Sequence, residues 1–359
     1  MANDVLSFVA KLMQPSLRGR VEEYIHARIT SGPIIVEFDP TTACNFACPE
    51  CISLLLLNKG QVEAARTIAL IDEFHLAGVK GVIFIGGGEP LAQKGMPAPI
   101  LRCCEHGIAV GLTTNGSLIG RYIETISECV SWTRVSVDAA CQRTFSTFRP
   151  SNIPDSFSKI TSNIGLLAKS KKGLLGYSFL LIERDNLLDD EMVTNIHEVY
   201  QAACLARELG CDYFEYKPMV DGHHNLFCLS LGVRESLAEQ IEKMRSLNTD
   251  SFRVIAPNSV SYLLSRPSMD QPKDYTTCPT LEMRTVVTPK GIYPCPYKRG
   301  YEDVRLGDID VRFNEYWISE KRQYLAMSIN PSKDCPFYCI RHDMNVMLLS
   351  LAQAYRNGT

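Results

Sequence analysis

The sequence predicts an α/β protein: an open, partial (β/α)6 barrel followed by a small cysteine-rich domain. Three observations predict it. Short apolar runs rich in β-branched and aromatic residues alternate with longer amphipathic stretches across residues 31–220, the pattern of parallel strands joined by crossover helices. Six such runs occur, where a closed barrel needs eight. Four of the fourteen cysteines gather near the C-terminus among prolines and glycines.

The elements follow in order. Residues 1–30 read as an N-terminal helical extension. The barrel, 31–220, has strands at "IIVEF" (34–38), "GVIFIG" (81–86), "AVGLTT" (109–114), "RVSVD" (134–138), "LGYSFLL" (175–181) and "YFEYK" (213–217). Helical periodicity lies between them, near 61–77, 97–106, 118–129, 155–170 and 190–209. Residues 221–276 read as a linker with a bridging helix near 233–247. The cysteine-rich module covers 277–343, and its "VVTPKGIYPCP" reads as a hairpin with Lys290-Gly291 at the turn. Residues 344–359 read as a terminal helix.

Composition narrows the function classes. The chain is 45% hydrophobic and 21% charged, with a net charge of −3. That suits a globular protein and announces no polyanion-binding surface, so no nucleic-acid partner is expected. No run of eighteen apolar residues exists, so no membrane span is expected. The N-terminus lacks the basic start and apolar core of a signal peptide, which makes the cytoplasm the default. Fourteen cysteines in a reducing compartment point to metal or redox use for some of them. Cys103, Cys104, Cys129 and Cys204 fall in helical patterns and read as small core residues, and Cys141, Cys211 and Cys228 as packing.

"TTACNFACPECIS" (41–53) places Cys44, Cys48 and Cys51 on one loop after the first strand. In βα folds, that end of a strand is where the chemistry sits. Three thiolates can bind three irons of a cubane cluster and leave the fourth open to a small ligand. A structural zinc ion would want a fourth ligand nearby, and the loop after Cys51 offers none.

This C-x3-C-x2-C loop resembles the signature of the radical S-adenosylmethionine superfamily, and further motifs fall in matching order. "GGGEP" (86–90) is similar to the family's GGE-P motif, which implies that Gly87, Gly88 and Glu89 hold the amino group of the cofactor's methionine. "TTNG" (113–116), with Asn115, ends strand three. "VSVDA" (135–139), with Ser136 and Asp138, ends strand four. Arg149 in "TFRP" resembles the arginine that some members present to the methionine carboxylate. Many members carry an aromatic residue just before the third cysteine; this chain has Glu50. The resemblance covers roughly residues 34–220. It implies a TIM-like partial barrel, a [4Fe–4S] cluster that binds S-adenosylmethionine, and a low-potential electron donor of flavodoxin or ferredoxin type.

Cys278, Cys295, Cys335 and Cys339 sit in "YTTCPT", "GIYPCPYK" and "DCPFYCIRHD". Tight turns around them favour backbone N–H groups aimed at sulfur. The group resembles the C-terminal auxiliary-cluster modules called SPASM and twitch. Four cysteines saturate one [4Fe–4S] cluster, which favours the twitch-like form. A structural zinc ion with four thiolates is the alternative. A fully ligated cluster suits electron transfer, and so a net oxidation.

Peptide-modifying members often carry a leader-binding domain before the barrel. About thirty residues precede strand one here, which favours a small polar substrate (a sugar, nucleoside or aminoglycoside-like molecule), modified by oxidation or else by epimerisation, elimination or decarboxylation. Ser178, Glu215 and Lys217 on the late strands, and then Asp221, His223 and His224, are the polar candidates at the mouth. Glu215 and Lys217 share one face of strand six and can bind hydroxyls or a carboxylate; a structural ion pair between them is the plainer reading. His223 and His224 are further acid–base candidates. Modification of a ribosomally made peptide, and a non-catalytic zinc or iron–sulfur protein, stay open as alternatives.

Overall fold

The computed structural model describes residues 14–185, 192–220, 228–265, 273–335 and 339–358. In chain order the elements begin with α1 (Pro15–Ala27), β1 (Ile35–Phe38), α2 (Ala64–Leu76), β2 (Gly81–Phe84), α3 (Pro97–Glu105), β3 (Ala109–Thr114), α4 (Ile123–Cys129) and β4 (Trp132–Ser136). They continue with α5 (Gln142–Phe148), α6 (Ser156–Ser170), β5 (Leu174–Leu181), β6 (Glu183–Asp185), β7 (Met192–Thr194), α7 (Val199–Glu208), β8 (Tyr213–Pro218), α8 (Leu231–Arg245) and β9 (Arg253–Ile255). The remainder holds α9 (Ser259–Ser265), β10 (Arg284–Thr288), β11 (Gly291–Tyr293), α10 (Phe313–Trp317), α11 (Glu320–Ser328), α12 (Pro331–Asp334) and α13 (His342–Arg356). The result is a mostly parallel α/β fold.

Two compact units divide the chain, and the boundary runs through β3. The first comprises residues 1–43, 56–111 and 269–359. Its strands run β11-β10-β1-β2, followed by the start of β3. β1 pairs in parallel with both β2 and β10, and β10 and β11 form an antiparallel hairpin. The cysteine-rich segment is therefore continuous with the sheet: "RTVVT" is β-branched, Val286 and Val287 are buried, and the pair completes an edge that β1 would otherwise expose. The hairpin turn falls on Pro289-Lys290, one residue earlier than expected. Gly291 already pairs with Thr288. It has φ of 137°, and a Cβ there would meet the Gly307 carbonyl at 2.4 Å. Beneath β1, α1 and α13 share an apolar cluster of Val21, Tyr24, Ile34, Met283, Met344, Leu348 and Ala352.

The second unit comprises residues 44–55 and 112–268. The end of β3 is followed by β4, β5, β8 and β9, with β4–β5, β5–β8 and β8–β9 all parallel. β9 was not expected: three half-buried residues are too few to carry a period. One face of these strands is apolar, with Val135, Tyr177, Phe179 and Phe214 all buried. Helices supply matching apolar stripes, Ile160, Ile164 and Leu167 on α6 and Val199, Ala202, Ala203 and Ala206 on α7, at the spacing of a single helix face. The other face is polar, and the register sets it: Ser136 opposes Ser178, which opposes Glu215.

Of the cysteines expected in the core, Cys103 is buried and Cys104 is exposed. Neighbours on a helix point about 100° apart, so α3 buries only one of the two. Among the described residues, no helix is long and apolar enough to cross a membrane.

Candidate functional site

The triplet loop belongs to the second unit, and Cys44, Cys48 and Cys51 are all half-buried. Local hydrogen bonds shape it. Cys51 N–H donates to the Cys48 carbonyl at 3.2 Å, and Ala47 N–H to the Pro150 carbonyl at 2.9 Å. Phe46 packs edge-on against Phe145, 5.9 Å between centroids. The three thiols sense one another. Burial first, then Asp138, Cys51 and Cys44, push the Cys48 thiol up to about 12, while Arg149 opposes the rise. Thiols this close on one loop form a donor set fitted to a metal cluster, whose cations would hold them as thiolates.

Asn45, between two of the loop's anchors, donates from Nδ2 to Ser117 Oγ at 2.9 Å and accepts from Asn115 Nδ2 at 2.8 Å. Asn115 Oδ1 in turn accepts from the Ser117 N–H and hydroxyl. Asn115 thus fastens the loop to the end of β3, a role that motif order did not disclose. Glu50 forms a buried ion pair with Arg184 of β6, and the Arg184 guanidinium lies 5.4 Å from the Phe148 ring centroid. A paired carboxylate therefore stands just before the third cysteine of the loop.

Arg149 and Asp138 come together. The guanidinium donates from Nε to Asp138 Oδ2 at 2.7 Å, and its Nη1 reaches Cys48 Sγ at 3.9 Å. Asp138 Oδ1 accepts from Leu180 N–H at 2.7 Å. The Asp138 backbone lies in the left-handed region, φ 60°, a conformation Asp tolerates better than most residues. Ser136, at the end of β4, is half-buried.

Glu215 and Lys217 share the polar face of β8, but they do not pair with each other. Glu215 accepts from Arg134 Nη1 of β4 at 2.9 Å. Arg134 also reaches Thr113 Oγ1 at 3.5 Å and lies over the Trp132 ring. Beside it, Gly176 makes room for the Tyr213 ring, which would lie 1.9 Å from a Cβ there. The Lys217 ammonium is held below its ordinary pKa by burial first, then by Arg134 and Arg149, against Glu215 and Asp138. Asp221, His223 and His224 lie outside the described residues.

In the first unit, "GGGEP" packs backbone on backbone. A Cβ on Gly88 would lie 2.3 Å from the Ala43 carbonyl oxygen and 2.5 Å from the Thr42 carbonyl carbon, and Glu89 N–H donates to that Ala43 oxygen at 2.8 Å. Gly87 faces Thr42, whose methyl would be 3.0 Å from an added Cβ. Glu89 is buried, and its Oε1 accepts from Leu91 N–H at 3.1 Å. Gly86 N–H donates to Asp39 at 2.9 Å.

The same unit gathers Cys278, Cys295, Cys335 and Cys339. Burial first, then Cys339, Cys295 and Cys278, push the Cys335 thiol up to about 12, so all four thiols lie within reach of one another's charge. Backbone N–H groups of Lys298 and Tyr297 donate to Cys295. Asn345 Oδ1 accepts from the Thr280 N–H and hydroxyl, at 2.9 and 2.6 Å. That fixes the amide so that its Nδ2 donates to Cys278 Sγ at 3.4 Å. Arg341, just after Cys339, donates to the Pro294 carbonyl beside Cys295 and to Glu37. Glu37 also takes Arg284 at 2.6 Å, and Asp39 takes Arg299 at 2.5 Å. Burial raises the Glu37 carboxyl, yet Arg284, Arg341 and Arg299 outweigh it and hold it below the ordinary value. None of these partners was legible in the sequence. Among the described residues, no three His, Cys, Asp or Glu side chains close around a single metal ion.

A family model described as the radical SAM superfamily matches residues 38–189. The chain is 36% identical over 100 residues to a probable GTP 3′,8-cyclase from Archaeoglobus fulgidus, 27% of this chain and 33% of that one. It is 27% identical over 146 residues to the AdoMet-dependent heme synthase of Methanosarcina barkeri, 40% of this chain and 41% of that one. It therefore spans about a third to two-fifths of the length of these relatives. The crystal structure of Streptococcus suis SuiB bound to S-adenosylmethionine covers 87% of this chain and 72% of its own, with TM-score 0.64 and 14% identity. Native anSMEcpe with bound AdoMet covers 90% and 100%, with TM-score 0.60 and 16% identity. At these identities the likeness is one of fold alone.

Proposed function

We propose, from the match of the radical SAM superfamily model to residues 38–189, that this protein reductively cleaves S-adenosylmethionine and uses the resulting radical to oxidise a small polar substrate. The observation that supports the proposal is the loop that carries Cys44, Cys48 and Cys51, where the charges of Cys44 and Cys51 act on Cys48 and Arg149 reaches its sulfur. Cys44, Cys48 and Cys51 would hold a [4Fe–4S] cluster, which would supply the low-potential electron for reductive cleavage of the sulfonium to methionine and a 5′-deoxyadenosyl radical able to take a hydrogen atom from an unactivated carbon.

The chain's own residues position the reactants. Arg149 takes the methionine carboxylate, and Asp138, already bonded to it, holds its direction. Gly87, Gly88 and Glu89 take the methionine amino group, and a charge-assisted bond to Glu89 contributes about 1.5–3 kcal/mol. Asn115 keeps the cysteine loop in place through Asn45, and Ser136 lines the same strand face. Glu215, fixed by Arg134, and Lys217 meet the substrate, with His223 and His224 as further acid–base candidates. Residues 31–220 act as the radical domain. Residues 277–343 hold an auxiliary [4Fe–4S] cluster on Cys278, Cys295, Cys335 and Cys339, a closed set suited to carrying off the second electron of an oxidation. A flavodoxin- or ferredoxin-type protein is the expected reductant.

Anaerobic reconstitution tests this. The wild type is expected to bind roughly eight irons per chain, as two cubane clusters require, and to form 5′-deoxyadenosine when reduced. The variant with Cys44, Cys48 and Cys51 all replaced by alanine is expected to keep about half the iron and to form none. Retained 5′-deoxyadenosine in that variant overturns the assignment.

A further inference from the structure

In the first unit, the side chain of Asn345 is buried on α13 beside Cys278, and its orientation is fixed. The Thr280 N–H lies 2.9 Å from it and the Thr280 hydroxyl 2.6 Å. A backbone N–H can only donate, so the atom that faces it is the amide oxygen. Both lone pairs of Oδ1 are then engaged, and Nδ2 is turned to Cys278 Sγ at 3.4 Å. Oδ1 also lies 3.5 Å from that sulfur, a contact that needs a thiol hydrogen. A metal-bound thiolate has no such hydrogen, so the contact that survives ligation is the N–H donated by Nδ2. The Tyr275 hydroxyl flanks the amide, bonded to Asn345 and to His342 Nδ1 at 3.0 Å. Met344 and Leu348 seat α13 in the apolar cluster shared with α1, so a packed helix carries the donor.

Hydrogen bonds to sulfur help set the reduction potential of an iron–sulfur cluster. Reduction adds one negative charge, part of which falls on the ligating sulfurs. An N–H dipole aimed at one of them stabilises the reduced state more than the oxidised state and raises the potential. Cys295 takes its donors from the backbone, at Lys298 and Tyr297. Cys278 takes one from a side chain, which a substitution can remove.

We propose that Asn345 is a positioning residue of the auxiliary site, whose amide N–H on the Cys278 sulfur makes a cluster held by Cys278, Cys295, Cys335 and Cys339 easier to reduce. The inference rests on the reading of those four cysteines as an auxiliary [4Fe–4S] site. It names the side chain that suits the site to accepting an electron. In the oxidation proposed above, the substrate radical gives up that electron and releases one proton as it becomes the closed-shell product. Asn345 itself exchanges neither. Thr280 serves it by holding the amide oxygen, and the backbone N–H of Thr280 does so whatever side chain stands at 280.

The test is a reduction potential, measured in the full-length C44A/C48A/C51A protein so that a single cluster is observed. The reconstituted protein is titrated anaerobically and followed by electron paramagnetic resonance. N345L and N345A, which remove the donor at two different sizes, are expected to be about tenfold harder to reduce, a midpoint about 59 mV lower for one electron. T280V keeps the donor and loses one support of the amide; it is expected to melt lower with its midpoint unchanged. Unchanged midpoints in N345L and N345A overturn the proposal, and so does a T280V shift as large as theirs, which marks general loosening. Should neither Asn345 variant retain iron, a second measurement decides. With Asn345 in place and asparagine side chains labelled with nitrogen-15, pulsed resonance of the reduced cluster is expected to show a nitrogen coupling, and its absence overturns the proposal. A C44A/C48A/C51A protein that binds zinc or no metal, instead of iron, refutes the auxiliary-cluster reading itself and the proposal with it. Unchanged midpoints on an intact cluster refute the role of Asn345 alone.

Discussion

Asp138 combines a left-handed backbone, φ 60°, with the only carboxylate bonded to Arg149 among the described contacts. Asp138→Asn keeps the shape and the tolerance for that backbone and removes the charge. Loss of one partner of a buried pair costs about 3–5 kcal/mol, because the other charge stays behind. The variant is therefore expected to melt lower. If Arg149 meets the methionine carboxylate, added S-adenosylmethionine then restores the missing anion and raises the melting temperature of the variant more than that of the wild type. An equal or smaller rise in the variant removes Arg149 from cofactor binding. Lys217 gives a pH signature of the opposite kind. Its folded pKa lies below the ordinary value of 10.5, so folding favours the neutral amine relative to the unfolded chain. That contribution is present above the unfolded pKa and is lost as pH falls through the folded one. Lys217→Met is expected to be more stable than wild type near neutral pH, with the gap closing toward pH values above 10.5. Urea denaturation of both proteins across that range checks the sign.

At the scale of the element, the turn after β2 is set by what a glycine lacks. Gly88 brings backbone against Thr42 and Ala43, with no room for a methyl group, and Glu89 N–H closes the contact. Gly88→Ala forces the strand ends apart and is expected to destabilise by more than about 2 kcal/mol, in the range of overpacked sites. Chemical denaturation measures it, and a change below 0.5 kcal/mol, the ordinary scatter of surface substitutions, refutes the close packing. β8 illustrates how one element serves two purposes. Phe214 and Tyr216 are buried on its apolar side, while Glu215 and Lys217 lie on its charged face. The period of two separates them without any change in the strand.

For the whole molecule, the four C-terminal cysteines stand in the same compact unit as β1 and β2. Strand β10 joins them to β1, and Arg341 spans the carbonyl beside Cys295 and the buried Glu37. A cluster held by these cysteines would support both a sheet edge and a buried charge network. Replacing Cys278, Cys295, Cys335 and Cys339 by alanine is expected to lower the melting temperature and to remove about half the iron. If the auxiliary site also relays an electron, protein that stays folded still forms 5′-deoxyadenosine but little oxidised product. A redox-neutral product formed at full rate without that site shows that net oxidation is the wrong outcome.

The sequence by itself determined what is contiguous. The βα alternation, the three-cysteine loop after β1, the glycine turn after β2 and the second cysteine group all depend on short spacings, and short spacings are readable from one chain. It also placed Glu215 and Lys217 on one face, because strand alternation is a local property. Only the tertiary structure decided who their partners are. Glu215 pairs with Arg134, 81 positions away, and Arg149 with Asp138. Asn45 closes on Asn115, Arg184 on Glu50, and Asn345 on Cys278. β10 pairs with β1 from nearly the other end of the chain, and "IVEF" reads as an ordinary strand whether or not Glu37 lies among three arginines. Charge pairing and desolvation depend on distance through space, which the folded sheet fixes and residue spacing does not.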